Sequence, residues 1–172
     1  MIEQLRMVDE LERQIQECEQ AVEGMLYPSV ERDLLDSLPC VGKILSAVLA
    51  LEIGRVERFG DSGELASYAG LVGRAVESAD WKLQGRCPRD CNQYLKWAYV
   101  EAANLISTQR KRWGERHVVQ LYERVKQRSK MHGKAAVAVA RHLAESSYWM
   151  LKKQEVYREP LSQRRDLSSM HG

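Results

Sequence analysis

Residues 68–103, YAGLVGRAVESADWKLQGRCPRDCNQYLKWAYVEAA, fall into three parts whose order sets the architecture. Tyr68-Ala69-Gly70 closes one helix, because glycine is the usual residue just past a helix end. Gly73 to Asp90 has no steady apolar period of either 2 or 3.6 and reads as a loop or irregular hairpin between two helices. From Asp90 to about Ser107 the apolar residues Tyr94, Leu95, Trp97, Ala98, Val100, Ala102, Ala103, Leu105 and Ile106 cover more than one stripe, which predicts the central core helix. The middle part holds a lone serine, Ser78, among four cations, Arg74, Lys82, Arg86 and Arg89. A hydroxyl beside cations suits attack on a phosphodiester, since cations stabilise charge growing on the phosphate oxygens. The plainer reading is a solvated basic loop.

Working outward, the chain predicts helices on both sides. Toward the N-terminus, Val8, Leu11, Ile15, Cys18, Val22 and Met25 recur at alternating steps of three and four, the a/d seam of a coiled coil, over a helix from about Ile2 to Leu26. Gly24 and Pro28 mark its end. The seam needs a cover: another chain, the body of this protein, or a segment outside this sequence. Its abrupt start is what a chain cut from something longer would show. A short helix from Val30 to Ser37 leads into Leu38-Pro39-Cys40-Val41-Gly42-Lys43, and a second helix runs from Ile44 to Glu52. The turn between them resembles the hairpin of a helix-hairpin-helix element, in which backbone N–H groups hold one phosphate without reading sequence. Its usual first glycine is Cys40 here, a residue that tolerates positive φ poorly. An ordinary αα corner is the alternative. Gly54 ends the second helix, and Asp61 or Ser62 can cap the next.

Toward the C-terminus, Trp113 to Ser129 reads as one amphipathic helix with a basic outer face. Met131-His132-Gly133-Lys134 reads as a turn, and Ala135 to Tyr157 as the last helix. From Pro160 the tail is polar and is expected to lack fixed structure. The organisation is therefore an arm over 1–29, an all-α domain over 30–158 and a tail over 159–172.

Composition narrows the setting. Gly and Pro are sparse, at 11 and 4 of 172 residues, and charged residues make up 29%, as suits a helical protein. No apolar run approaches a membrane span and no signal peptide opens the chain, so a cytoplasmic protein with no membrane partner is expected. Cys18, Cys40, Cys87 and Cys91 are too scattered for a disulfide framework, and the spacing of Cys87 and Cys91 does not make a zinc site. The net charge of +2 hides a split. Residues 1–37 carry three bases and ten acids, whereas residues 108–134 carry nine bases and two acids. An acidic arm on a basic body points to a polyanionic partner. Gly42 and Lys43 in the turn, the loop cations, and Arg124 and Arg128 on the basic helix are the candidate nucleic-acid contacts.

Leu38-Pro39-Cys40-Val41-Gly42, Leu51-Glu52-Ile53-Gly54, Phe59-Gly60, Leu65 to Leu71, Ser78, Gly85-Arg86, Asn92-Gln93-Tyr94-Leu95 and Glu101-Ala102-Ala103 together resemble the C-terminal domain of DEDD-type bacterial insertion-sequence transposases, insertion sequence family one-ten. The phrases run in family order across 38–103. The resemblance implies DNA transposition and recombination, with the catalytic serine at Ser78. It implies a coiled coil joining this domain to an N-terminal RuvC-like domain that supplies metal-binding carboxylates, hence magnesium there and no cofactor in this chain. It also implies a structured guide RNA as partner beside DNA. The chain departs from the family at Gly73, Ala79, Cys87-Pro88 and Asp90-Cys91, and Glu77 and Asp80 flank the serine. A serine hydroxyl needs a base or metal to become a nucleophile, so this chain by itself is expected not to cut. Two further readings stay open: an inactive remnant that binds nucleic acid or a second copy, and a helical adaptor that uses its seam for protein contacts.

Overall fold

The computed structural model describes residues 2–25, 29–73, 75–78, 81–84, 90–114 and 116–160. The helices are α1 (Ile2–Met25), α2 (Val30–Asp36), α3 (Lys43–Ile53), α4 (Ser62–Tyr68), α5 (Gln93–Thr108), α6 (Arg110–Trp113), α7 (His117–Ser129) and α8 (His132–Lys153), with a single 3-10 turn at Val56–Arg58. The architecture is all-helical apart from a two-stranded hairpin, β1 (Ala75–Ser78) and β2 (Trp81–Gln84). No helix among the described residues is long and apolar enough to cross a membrane.

α5 and α8 form the centre, as the broad apolar face of the first and the small residues of the second require. Leu95, Tyr99 and Ile106 of α5 and Val139 and Leu143 of α8 are fully buried. Ala98, Ala102 and Ala103 face them beside Ala135, Ala140 and Ala144, which lets the two backbones come close. α8 also packs on α7, α4 and α2, and α3 lies against α5. Leu35, Leu49, Ile53 and Leu65 complete one continuous core. Each such side chain contributes about 1.5–3 kcal/mol through the apolar area it removes from water. Caps fix the helix starts: Ser29 Oγ accepts the Arg32 N–H at 3.1 Å, Asp61 Oδ1 the Glu64 N–H at 2.8 Å, and Asn92 Oδ1 the Leu95 N–H at 2.9 Å.

Four boundaries differ from the sequence reading by three residues or more. The central helix α5 starts at Gln93, behind its cap Asn92, rather than at Asp90. Trp113 does not open the basic helix; it closes α6, and Gly114 at φ 53 turns the chain before α7 begins at His117. Met131 to Lys134 is not a turn: α7 ends at Ser129, its cap Lys130 adopts the left-handed conformation at φ 59, and α8 starts at His132. The Tyr122 hydroxyl, 2.7 Å from His132 Nδ1, ties that start to α7. α8 stops at Lys153 rather than Tyr157, because Gln154 takes the left-handed cap. The chain then runs back, with the Tyr157 N–H donating to Ser37 Oγ at 2.8 Å. Residues 161–172, most of the expected tail, lie outside the described residues.

α1 stands apart from the core. Val8, Leu11 and Ile15 are about half exposed, at 50%, 52% and 56%, and Cys18 is exposed. Its only cover among the described residues is slight: Leu11, Ile15 and Cys18 share a shallow groove with Ile44 of α3.

Candidate nucleic-acid interface

The α2–α3 turn is built to hold an awkward backbone. Leu34 and Leu35 anchor α2, Leu38, Pro39 and Val41 are buried, and the Val41 N–H donates to the Leu38 carbonyl at 3.2 Å. Between them Cys40 takes φ 58, in the left-handed region that costs an L-residue about 1–2 kcal/mol. The turn thus keeps the conformation that a glycine would adopt freely, although a cysteine occupies the position. Gly42 is the N-cap of α3 and makes no side-chain cap, and a Cβ built there meets nothing within 4 Å. The start of α3 borders a cleft of about 580 Å³. Lys43, Cys40 and Arg32 line it, with Gln16, Glu19 and Gln20 from α1.

A second cleft, of about 490 Å³, lies on the other side of the same turn. Leu38 to Gly42 form one wall; Leu105, Gln109, Trp113 and Arg116 form the other. The Arg116 guanidinium stacks on the Trp113 ring at 4.2 Å, and the indole N–H donates to Gln109 Oε1 at 3.1 Å. The Cys40 thiol pKa is pushed up by burial, an effect that the positive charges of Arg116 and Arg112 oppose. Arg112 and Arg116 were not among the sequence candidates. Their signal was the density of bases in 108–134; what the pattern lacked was the Gly114 elbow, beyond which Arg116 lies against the turn. Arg124 and Arg128 are exposed on α7, away from its buried Val118, Val119 and Tyr122. Arg110 bridges α6 to α7 through Glu123 at 3.4 Å.

The serine segment rises from a closed base. Ser78 and Lys82 lie on the hairpin, where the antiparallel register pairs Ser78 with Trp81 and Glu77 with Lys82. Arg74, Arg86 and Arg89, and the side chains of Ser78 and Lys82, lie outside the described residues. The end of α4 and the start of α5 meet where the Asn92 N–H donates to the Tyr68 carbonyl at 2.9 Å. Gly70, at φ 67, allows this: a Cβ there would stand 2.4 Å from Cys91 Sγ. Asn92 caps α5 and also donates through Nδ2 to Glu52 Oε2 at 2.7 Å and to the Tyr68 hydroxyl at 3.3 Å. The Arg58 guanidinium lies 4.6 Å from both the Phe59 and Tyr68 rings and donates to the Glu52 carbonyl at 3.2 Å. The Asn92 hydrogen bond, and then Arg58, lower the Tyr68 pKa. The scattered phrases Leu51-Glu52, Phe59-Gly60, Tyr68-Ala69-Gly70 and Asn92-Gln93 thus converge on one polar knot, at the point where the chain leaves for the serine-bearing segment and returns from it.

A family model described as Transposase IS116/IS110/IS902 family matches residues 32–119, from α2 through the elbow into the first residues of α7. No curated protein matches the chain.

Proposed function

The chain belongs to the IS116/IS110/IS902 family of transposases, and from that premise we propose that it is the serine-bearing, DNA-binding part of a transposition machine whose metal-binding half is a separate RuvC-like domain. Family membership supports a role in transposition and implies DNA as a partner. The observation that supports the finer reading is the closure at Gly70, Cys91 and Asn92, which ties together the ends of α4 and α5 between which the segment bearing Ser78 runs. Nucleophiles on short loops held by a scaffold can be presented to a large substrate.

The step assigned to Ser78 is transesterification. The hydroxyl oxygen bonds to phosphorus, the bond to one bridging sugar oxygen breaks, that oxygen leaves with a proton, and the serine proton passes to a base. The loop cations Arg74, Lys82, Arg86 and Arg89 would neutralise the phosphate but cannot take a proton at neutral pH. No group of three or more His, Cys, Asp or Glu among the described residues could hold a metal ion, so no residue described here is assigned to magnesium. Base and metal are the contribution of the RuvC-like domain, reached through α1. Gly42 and Lys43 at the turn and Arg124 and Arg128 on α7 hold the backbone of DNA or of a structured guide RNA. The setting that this reading implies is the cytoplasm.

The test is a covalent protein–DNA adduct that survives denaturation. With a RuvC-like domain supplied, the wild-type chain forms it. Ser78→Ala abolishes it and leaves DNA binding within about twofold, because one hydroxyl contributes little to a multi-phosphate interface. An adduct in the Ser78→Ala protein would assign the chemistry to another residue. Binding without any adduct would favour the remnant module, a reading that Glu77 and Asp80 on either side of the serine support.

A further inference from the structure

The elbow between α6 and α7 holds a cation whose geometry is fixed before any ligand arrives. Gly114 at φ 53 reverses the chain, and Arg116 lies back over Trp113 at 4.2 Å. The ring is itself held through its N–H by Gln109 at 3.1 Å. A guanidinium stacked on an indole loses little further rotamer freedom when it binds, and its edge still presents paired N–H donors. That edge borders the cleft of about 490 Å³ whose opposite wall is the Leu38–Gly42 turn. Arg112 lies on the same side and acts electrostatically on Cys40 in that turn. Asp36 is the acidic member of the lining.

The same corner already accepts an anion. The Glu159 carboxylate takes the His117 N–H, at the N-terminus of α7, at 3.0 Å. It arrives on the returning segment that Tyr157 pins to Ser37, itself part of the cleft lining. The cleft is open and of mixed polarity, with apolar walls at Leu38, Val41 and Leu105 and polar groups at Gln109 and Arg116.

We propose that the cleft between the α2–α3 turn and the α6–α7 elbow seats a backbone phosphate of nucleic acid, gripped by Arg116 opposite the turn, with the Arg112 charge adding to the field there. The proposal rests on the reading that the chain binds nucleic acid, and it adds a site formed by two elements far apart in sequence. The turn contributes a wall that carries no side chain at Gly42 and the elbow a forked cation, so the phosphate sits between two elements. Such a contact fixes register on the strand and reads no bases.

The experiment measures anisotropy of a labelled mixed-sequence DNA duplex, and separately of a labelled RNA hairpin, with the full chain at several salt concentrations. Arg112→Gln with Arg116→Gln weakens binding about tenfold and reduces the salt slope by about one to two, as loss of one or two phosphate contacts requires. Arg116→Lys, which keeps the charge and loses the fork, falls between. Equal losses on both probes assign the site to the shared phosphate backbone; a loss on one probe assigns it to that nucleic acid. Circular dichroism of each variant confirms the fold, and Arg116→Lys alone stands in if the Gln variant unfolds. Unchanged affinity and slope in folded variants overturn the site while leaving the proposed function in place. Failure of the wild-type chain to bind either probe overturns both.

Discussion

Cys40 and Gly70 both take positive φ, at 58° and 67°, and the two positions are held for different reasons. At Cys40 nothing but local backbone energy argues for glycine, and the buried neighbours Leu38, Pro39 and Val41 outweigh the cost of about 1–2 kcal/mol. At Gly70 a side chain meets a wall: a Cβ would lie 2.4 Å from Cys91 Sγ and 2.8 Å from Cys91 Cβ. Gly70→Ala should therefore destabilise the chain by about 3 kcal/mol, from left-handed strain and overpacking together. Adding Cys91→Ala removes the sulfur contact but not the Cβ contact, so it should restore only part of the loss. Urea unfolding of the two single mutants and the double mutant measures this coupling. Purely additive effects would mean that Gly70 and Cys91 do not meet at the base of the hairpin.

At the scale of elements, α1 poses the clearest question, because Val8, Leu11, Ile15 and Cys18 of its apolar seam are exposed. Arg13 pairs with Glu10 and Glu17 along the helix, which supports α1 locally but buries nothing. A lone helix with Val8, Leu11 and Ile15 in water is marginal. A Leu11→Asp, Ile15→Asp double change should convert an associated species to monomer, or melt α1, in light scattering and circular dichroism; a wild-type monomer at tens of micromolar with a mobile α1 would sink that expectation. The 3.6 period made α1, α5 and α8 legible from sequence, since each buries or offers a long apolar stripe. The hairpin was legible only as one of two options, because its strands are four residues each. The break at Gly114 was not legible: Arg110, Lys111 and Arg112 carry no apolar phase, and Trp113 reads equally well as the last residue of one helix or the first of the next. Nor could local pattern place Arg116 against Cys40, or bring Glu52, Tyr68 and Asn92 together. Those are products of how α3, α4 and α5 pack, and the motif phrases showed that the residues mattered without showing that they meet.

Across the whole molecule, charge is segregated more sharply than the net +2 suggests. The acidic arm carries Glu19 to the edge of the cleft at Lys43, while the bases concentrate on α6 and α7. A polyanion approaching the body would be attracted to α7 and repelled along α1, which orients it before contact. Arg124 and Arg128 test this, because they are exposed and one turn apart on the face away from Val118, Val119 and Tyr122. Lys126 does not serve, since its ammonium sits 5.6 Å from the Tyr122 ring and its loss would disturb packing. If each arginine meets one phosphate, Arg124→Glu with Arg128→Glu should lower the salt slope by about 1.8, at roughly 0.9 per contact on duplex DNA. The affinity loss should be the same factor on every duplex sequence, because phosphate contacts carry no base information. Thermal melting should be unchanged within about 0.5 kcal/mol, as for other surface substitutions. A loss confined to particular sequences would mean that these side chains reach base edges in a groove. An unchanged slope would mean that nucleic acid does not run along α7, and the binding surface would then be confined to the turn, the elbow and the hairpin.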